Sequence, residues 1–556
     1  MHDIVFINPP NHCKEDYLSL GLQNLYTMIK DAGYRTDFID LQKLFIVGGL
    51  EFNPEAVETI YSIIRPVESK IYAFTVWNTS FPWVISLCQY IKKINGQAVT
   101  IIGGPLSTLS SEQILNDYDC VDIACRFEGE LIIEALVKTI VSGDSSSLGA
   151  IRNIAYRSPD GLVHSTGDAP LIENLDTLPR IDVTPQDFKS PVINLEAGRG
   201  CSFHCYYCSS CYIWKYKPRY KSGDRLFSEI DHLCDQFKNA GMKPPVFHLE
   251  HDNFLMKPEV LVELDKKVQE TGRRFQYGFA GRADLVTENN LELLKRTGCV
   301  YVFLGIETGS ERMQKITRKN LSFHTVFSSI RKLQRQGTIV NANLMYGFPE
   351  ETLEDLYATL DLINTLRCLG VNVYISMLSP EPRTPVGEAA SLSDYLFNGS
   401  SRYVAELTQC GFKPEEYGKI YLNHVYTLKN SHYDILLYNG FVQFWYALVK
   451  DYPMTVHALM GTNKSDWNHR FSVWDTHLKG KDLNGFSKDS IRDLFRLFDP
   501  QAGKDAEESE IALIEYDLRM HGKKNGSSLN VSKEQLRMYH GHYNEVWKKT
   551  MDNLAP

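Results

Sequence analysis

Short apolar-rich runs alternate with helical stretches over the first quarter of the chain. Ile4 to Asn8, Arg35 to Asp40, Ile71 to Val76, Ala98 to Ile102 and Val121 to Ala124 have the length and character of parallel strands, and stretches such as Leu18 to Lys30 carry helical spacing between them. Five such units predict a doubly wound α/β sheet, in which ligands sit above the carboxyl ends of the strands. Those ends carry Pro9-Pro10, Thr75 to Ser80, Gly103-Gly104-Pro105-Leu106-Ser107-Thr108 and Phe127-Glu128-Gly129-Glu130.

The pattern then changes twice. Ile151 to Tyr156 and Leu162 to Ser165, joined by Ser158-Pro159-Asp160-Gly161, predict a hairpin, and Leu175-Asp176-Thr177-Leu178-Pro179 leads out of it. Strand–helix alternation resumes near Val192 and continues through Val246 to Leu249, Phe275 to Phe279, Tyr301 to Gly305, Val340 to Tyr346 and Val373 to Met377, which predicts a partial barrel of six units. Distinctive polar groups follow these strands: Asp252-Asn253, Arg282 and Asp284, Glu307, Glu350-Glu351 and Arg383. Beyond it, Ser391 to Asn398 and Val404 to Cys410 read as helical. The cluster Phe441, Phe444, Trp445 and Tyr446, then Trp467 and Trp474, reads as helical core packing, followed by a polar tail with Lys523-Lys524-Asn525-Gly526. The expected organisation is a sheet domain over 1–145, a hairpin connector over 146–190, a partial barrel over 191–388 and a mostly helical cap over 389–556.

Composition narrows the function classes. A chain of 556 residues with 43% hydrophobic content can bury several cores, and a net charge of -9 with scattered basic residues disfavours a nucleic-acid partner. No apolar run reaches the ~18 residues of a membrane span, and the first residues read as a buried strand. Twelve cysteines without paired spacing suggest a reducing cytoplasm.

The chemistry concentrates in Cys201-Ser202-Phe203-His204-Cys205-Tyr206-Tyr207-Cys208. Three thiolates in one loop can hold three irons of a four-iron, four-sulfur cluster and leave one iron open. Cys211 or His204 as a fourth ligand would instead close the loop on zinc or an electron-transfer cluster, but a second, separated C-x2-C knuckle away from this loop is missing. Glu250-His251-Asp252 invites a metal assignment, yet adjacent strand residues face opposite ways.

The C-x3-C-x2-C loop, with Tyr207 before its last cysteine and Arg219-Tyr220-Lys221-Ser222 after it, resembles the signature of the radical S-adenosylmethionine (SAM) superfamily. The resemblance implies that Cys201, Cys205 and Cys208 ligate a [4Fe-4S] cluster whose open iron binds SAM. It also implies Tyr207 near adenine, Arg282 on the methionyl carboxylate and Glu307 on ribose or ammonium. A salt bridge between Arg282 and Glu307, bracing the barrel mouth, is the competing reading.

The first domain lacks G-x-G-x-x-G in its first turn. Ser19-Leu20-Gly21-Leu22, Gly103-Gly104-Pro105 and Glu128-Gly129-Glu130, in this order and followed by the cysteine loop, resemble the cobalamin-binding domain of one radical SAM branch. This similarity implies cobalamin contacts from Leu20, Gly21, Thr75, Trp77, Asn78, Thr79, Gly103, Gly104, Pro105, Thr108, Glu128, Gly129 and Glu130. There is no D-x-H-x-x-G, so no imidazole is placed to ligate cobalt from below. Trp77 is the residue expected closest to cobalt, its alternative being packing against the neighbouring helix.

The resemblance implies a class B-type C-methyltransferase that moves a methyl group from SAM through methylcobalamin to an unactivated carbon of a natural-product or peptide substrate. An sp3 carbon cannot attack SAM directly, so hydrogen abstraction has to create its reactivity. A flavodoxin or ferredoxin donor is implied. A cyclase or rearrangement enzyme with the same cofactors, and a non-catalytic iron-sulfur or cobalamin carrier, remain alternatives.

Overall fold

The computed structural model describes residues 1–11, 18–181, 183–185, 190–419, 421, 424–453, 456, 467–481, 493–494, 497–498 and 517. Lys523 to Gly526 of the polar tail lie outside the described residues. The chain divides into two compact units: 1–281 with 288–300 and 379–427, and 282–287 with 301–378 and the described part of 428–556.

The first unit begins with the expected alternation: β1 (His2–Asn8), α1 (Leu20–Asp31), β2 (Thr36–Asp40), α2 (Gln42–Ile46), α3 (Pro54–Ile64), β3 (Ser69–Thr75), α4 (Phe81–Ile94), β4 (Val99–Gly103), α5 (Pro105–Asp117), β5 (Ile123–Cys125) and α6 (Ile133–Ser142). These five strands are parallel, in the order β2-β1-β3-β4-β5. Ile4, Val5, Phe6 and Ile7 are all fully buried, as strands covered on both faces must be. One face packs Ile4, Phe6, Ile71, Ala73, Ile101 and Ile123 against Leu22 and Ile29 of α1 and Leu136 and Val137 of α6. The chain reverses direction across the sheet between β1 and β3, which opens a crevice at their carboxyl ends.

The expected hairpin is β6 (Ile154–Arg157) and β7 (Val163–Ser165), and it forms the antiparallel margin of this same sheet. Its pairing with β5 covers an edge that would otherwise stay open.

Next come β8 (Val192–Glu196), β9 (Gly198–Arg199), α7 (Ser210–Ile213), β10 (Arg219–Tyr220), α8 (Gly223–Asn239), β11 (Val246–Glu250), α9 (Glu259–Thr271), β12 (Gln276–Gly281) and α10 (Glu288–Thr297). Strand β11 pairs in parallel with β8 and β12, and β9 pairs antiparallel with β10. The alternation continues with β13 (Cys299–Glu307), α11 (Glu311–Ile316), α12 (Phe323–Arg335), β14 (Ile339–Tyr346), α13 (Leu353–Cys368) and β15 (Asn372–Met377), where β14 pairs in parallel with β13 and β15.

After α14 (Pro385–Ala389), the stretch Ser391 to Asn398 departs from its helical expectation. It is a single 3-10 turn, Leu392–Asp394, followed by strand β16 (Tyr395–Phe397), which joins β17 (Tyr426–Leu428) in a two-stranded sheet. The partner strand lies far along the chain, and such pairing overrides local helical spacing. Val404 to Cys410 is helical as expected, in α15 (Arg402–Gln409).

In the second unit, α16 (Ile435–Asp451) and α17 (Trp467–Val473) carry the aromatic cluster as core. Trp445 and Trp467 meet edge to face at 4.9 Å, and Arg470, 3% exposed, lies over both rings. Among the described residues, no helix is long and apolar enough to cross a membrane.

Candidate functional site

At the carboxyl end of β3 the chain is held by backbone bonds to the next turn. Val76 N–H donates to Gly103 O at 2.7 Å, and Leu106 N–H donates to Val76 O at 3.2 Å. Trp77 and Ser80 then close a capped 3-10 turn over Asn78–Ser80, with Trp77 N–H on Ser80 Oγ at 3.0 Å. Trp77 is 50% exposed. Asn78 is buried, and its Nδ2 has no partner among the described residues.

A residue the sequence reading missed holds this turn from beneath. Tyr403 of α15, buried, donates its hydroxyl to Thr79 O at 2.7 Å and lies 3.3 Å from Asn78 O. We expect Tyr403→Phe to weaken hydroxocobalamin binding by about 3- to 10-fold, the worth of one buried hydrogen bond. Absorbance titration checks this, and wild-type affinity in the variant would contradict it.

Gly104 adopts φ 96°, and a Cβ there would meet Thr75 Oγ1 at 2.9 Å and Val76 N and O at 3.2 Å. Pro105 opens α5, and Thr108 Oγ1 accepts from Phe127 N–H at 2.9 Å while donating to Gly104 O at 3.0 Å. Thr108 therefore ties the glycine turn to the loop after β5. Among the described residues, nothing stands over exposed Gly21, at the start of α1 beside Leu20. An exposed indole, an unpartnered buried amide and a side-chain-free turn at a topological switch fit a large flat ligand over these strand ends.

Glu128 and Glu130 point elsewhere. Arg199 gives Nη1 to Glu128 at 2.7 Å, Nη2 to Glu130 at 2.7 Å and Nε to Glu196 at 2.6 Å. Arg219 Nη1 also reaches Glu128, at 2.7 and 2.9 Å. Burial would raise the Glu130 carboxyl, but Arg199 draws it below its ordinary value. Gly129 between them faces Leu25 of α1 at 3.2 Å from where a Cβ would stand.

Arg199 and Arg219 are also the stem of the cysteine loop, facing each other across β9 and β10. Gly200, φ 94°, donates its N–H to Asp252 Oδ2 at 2.7 Å as the loop begins. Cys201, Cys205 and Cys208 are half-buried, and Cys208 N–H donates to Cys205 O at 3.3 Å. Burial pushes Cys201 up to about 11, whereas a hydrogen bond from Cys211 lowers Cys208. Cys211 is buried and its thiol also donates to Phe203 O. His204 is exposed and stacks on Tyr216 at 4.5 Å. Tyr207 is half-buried within the same loop. Three soft donors on one open turn suit an iron-sulfur cluster.

Glu250, His251 and Asp252 diverge as adjacent strand-end residues do. Asp252 serves Gly200. His251 stacks on Tyr220 at 4.1 Å, accepts from Asn253 N–H at 2.9 Å, and is pulled by burial to about 3, so it stays neutral. Among the described residues, no three Cys, His, Asp or Glu side chains are drawn to the spacing of a single metal ion. A cavity of about 600 Å³ opens beside Thr108, Ser110, Arg126, Tyr212, Arg383 and Tyr395, and the buried Ser110 Oγ has no partner among the described residues.

Arg282 and Glu307, in the second unit, are joined through a residue with no sequence signal, Lys319. Its ammonium holds Glu307 Oε1 at 3.0 Å, and its carbonyl accepts from Arg282 Nη2 at 2.8 Å. Arg282 also forms a two-point pair with Asp284, at 3.0 and 2.9 Å. Glu307 has φ 72°, which folds its carboxylate back over Gly305.

Nearby in this unit, fully buried Glu351 accepts from Tyr433 Oη at 2.5 Å and Gly347 N–H at 2.7 Å, and burial pushes it up to about 7. A carboxyl raised from its ordinary 4.5 stabilises the fold fully below that pH and loses the contribution as pH climbs towards 7. We expect the stability of wild type relative to Glu351→Gln to fall by roughly 1.4 kcal/mol per pH unit in that window. Urea unfolding at pH 5 and 7 measures it; a pH-independent difference would contradict it.

Residues 195–363 match the radical SAM superfamily model, and residues 11–137 match the B12 binding domain model. The chain therefore carries a radical SAM domain and a B12 binding domain, as the cobalamin-dependent radical SAM enzymes do. Its cofactors are a [4Fe-4S] cluster, SAM and cobalamin. It is 25% identical over 383 residues to an uncharacterised methyltransferase of Pyrococcus horikoshii, covering 68% of this chain and 79% of the relative. It is 27% identical over 287 residues to an anaerobic magnesium-protoporphyrin IX monomethyl ester cyclase of Rubrivivax gelatinosus, covering 49% of this chain and 50% of the relative. Its fold is similar to that of the cobalamin-dependent radical enzyme OxsB with aqua-cobalamin and SAM bound, with a TM-score of 0.63 at 16% identity over 99% of this chain and 80% of that one.

Proposed function

We propose that the chain is a C-methyltransferase acting on an unactivated carbon of a natural-product-type small molecule. The observation that carries this reading is the three-thiol loop, whose stem arginines are bonded to the last loop of the B12-type sheet. When bound, the reduced cluster supplies the electron that cleaves SAM to a hydrogen-abstracting radical, and cobalamin supplies the methyl group.

The chain's own residues hold and orient. Cys201, Cys205 and Cys208 ligate the cluster, and Tyr207 lies by adenine. Arg282 and Glu307, braced through Lys319, meet the carboxylate and the ribose or ammonium of SAM. Leu20, Gly21, Thr75, Trp77, Asn78, Thr79, Gly103, Gly104, Pro105, Thr108 and Gly129 line the cobalamin face. Trp77, exposed at that face, would set its bulk against the bound cofactor and help to exclude water from it. Cobalamin binding takes the first domain together with the hairpin that extends its sheet, followed by radical chemistry up to 388 and then the cap. A flavodoxin- or ferredoxin-type donor supplies the electron, and a reducing cytoplasm suits the open thiols.

The relative from Rubrivivax favours a second reading, cyclisation without methyl transfer. Incubation of reconstituted enzyme and candidate substrates with methyl-deuterated SAM tests both. Deuterated methyl in the product supports transfer, and an unlabelled rearranged product overturns it.

A further inference from the structure

We propose that the buried ion network of Glu128, Glu130, Glu196, Arg199 and Arg219 is a positioning device that sets the separation between the cysteine loop and the cobalamin face. The inference rests on the cofactor assignment above and concerns what keeps the two cofactors in register.

Glu128 follows β5 of the cobalamin sheet, while Arg199 and Arg219 are opposed residues at the two ends of the cysteine loop. One carboxylate thus grips both arms of that loop. Every nitrogen of the Arg199 fork carries a different carboxylate, so the guanidinium cannot slide without breaking a pair. The indole of Trp214, inside the loop, lies 5.6 Å from Arg199 and 5.7 Å from Arg219, which fixes the plane of the stem. The five charged side chains are all at least about nine-tenths buried.

Stability does not require such a set, because apolar side chains of equal volume would hold two segments together as well or better. What an ionic fork adds is a single geometry. Transfer between cofactors needs that geometry, since a misplacement of about 1 Å can cost ~100-fold in rate.

The test uses full-length protein reconstituted with cluster and cobalamin, comparing wild type, Glu128→Gln and Glu130→Gln, which keep shape and remove charge. The readout is the magnetic splitting between cob(II)alamin and the reduced cluster in electron paramagnetic resonance, which depends steeply on their separation. We expect one defined splitting in wild type and a broadened or lost one in a variant retaining both cofactors. With it, methylated product per SAM cleaved should fall by about 100-fold. An unchanged splitting in either variant with both cofactors bound overturns the positioning role. If Glu128→Gln does not fold, Glu130→Gln decides, because it leaves the Glu128 grip on both arginines. Wild type that takes up cobalamin but forms no SAM-responsive cluster sinks the cofactor assignment itself, and this inference with it.

Discussion

Cys205→Ala leaves a protein that binds cobalamin yet neither cleaves SAM nor transfers methyl. Its two neighbours in the loop cannot hold a cubane with one open iron, because each thiolate supplies one of three attachment points. The fold should survive, since Cys205 is only half-buried. Loss of activity should therefore come with near-wild-type thermal unfolding and an unchanged cobalamin titration. Cys211→Ser is the matched control. The single Cys211 S–H is shared between Phe203 O and Cys208, and a serine hydroxyl can donate in its place, so this variant should keep a SAM-responsive cluster. Iron content, the spectrum with added SAM and 5'-deoxyadenosine release under reduction separate the two. Substantial SAM cleavage by Cys205→Ala would end the assignment of this loop.

Gly104→Val should do the reverse, leaving the cluster and removing cobalamin. At φ 96° and ψ -171° the residue lies in a region essentially open to glycine alone. The added side chain would also press on Thr75 and on both backbone polar groups of Val76, which bridge the ends of β3 and β4. Relief requires Val76 to move, and with it the turn that presents Trp77 and Asn78. Strain of about 1–3 kcal/mol at such a site, before the steric term, corresponds to roughly 5- to 150-fold weaker cobalamin binding. We expect purified variant to lose the cobalamin absorbance while retaining some uncoupled SAM cleavage. Wild-type cobalamin retention would show that this turn does not form the cobalamin face.

The features legible in the sequence are those whose physics is local. Buried parallel strands must be apolar along their length, so Ile4 to Ile7 and Ile71 to Phe74 announced themselves. Three thiols within eight residues carry their chemistry in their spacing alone. Gly104 was legible because a strand end turning into a helix over close backbone leaves no room for a side chain. Helical spacing misled at Ser391 to Asn398, where pairing with Tyr426–Leu428 decided the conformation.

The partners of polar groups were not legible, because they are assembled across the chain. Glu128 and Glu130 fell within a motif, but nothing in it indicated Arg199, 71 residues away from Glu128, as the group they grip. Tyr403 reaches Thr79 across 324 positions, and only its burial reveals the reach. Lys319, between Arg282 and Glu307, bears no signature because one lysine in a charged turn resembles any other until the fold removes it from water.

The amino-acid order by itself determined which segments become strands and helices, where thiols gather and where a backbone needs glycine, since each follows from side-chain volume, polarity and short-range geometry. Tertiary structure alone decided which charge meets which, which carboxylates Arg199 engages and which distant hydroxyl supports the turn after β3. Burial selects those partnerships: a charge or hydroxyl taken out of water must find a complement, and which one it finds depends on what the completed fold brings near.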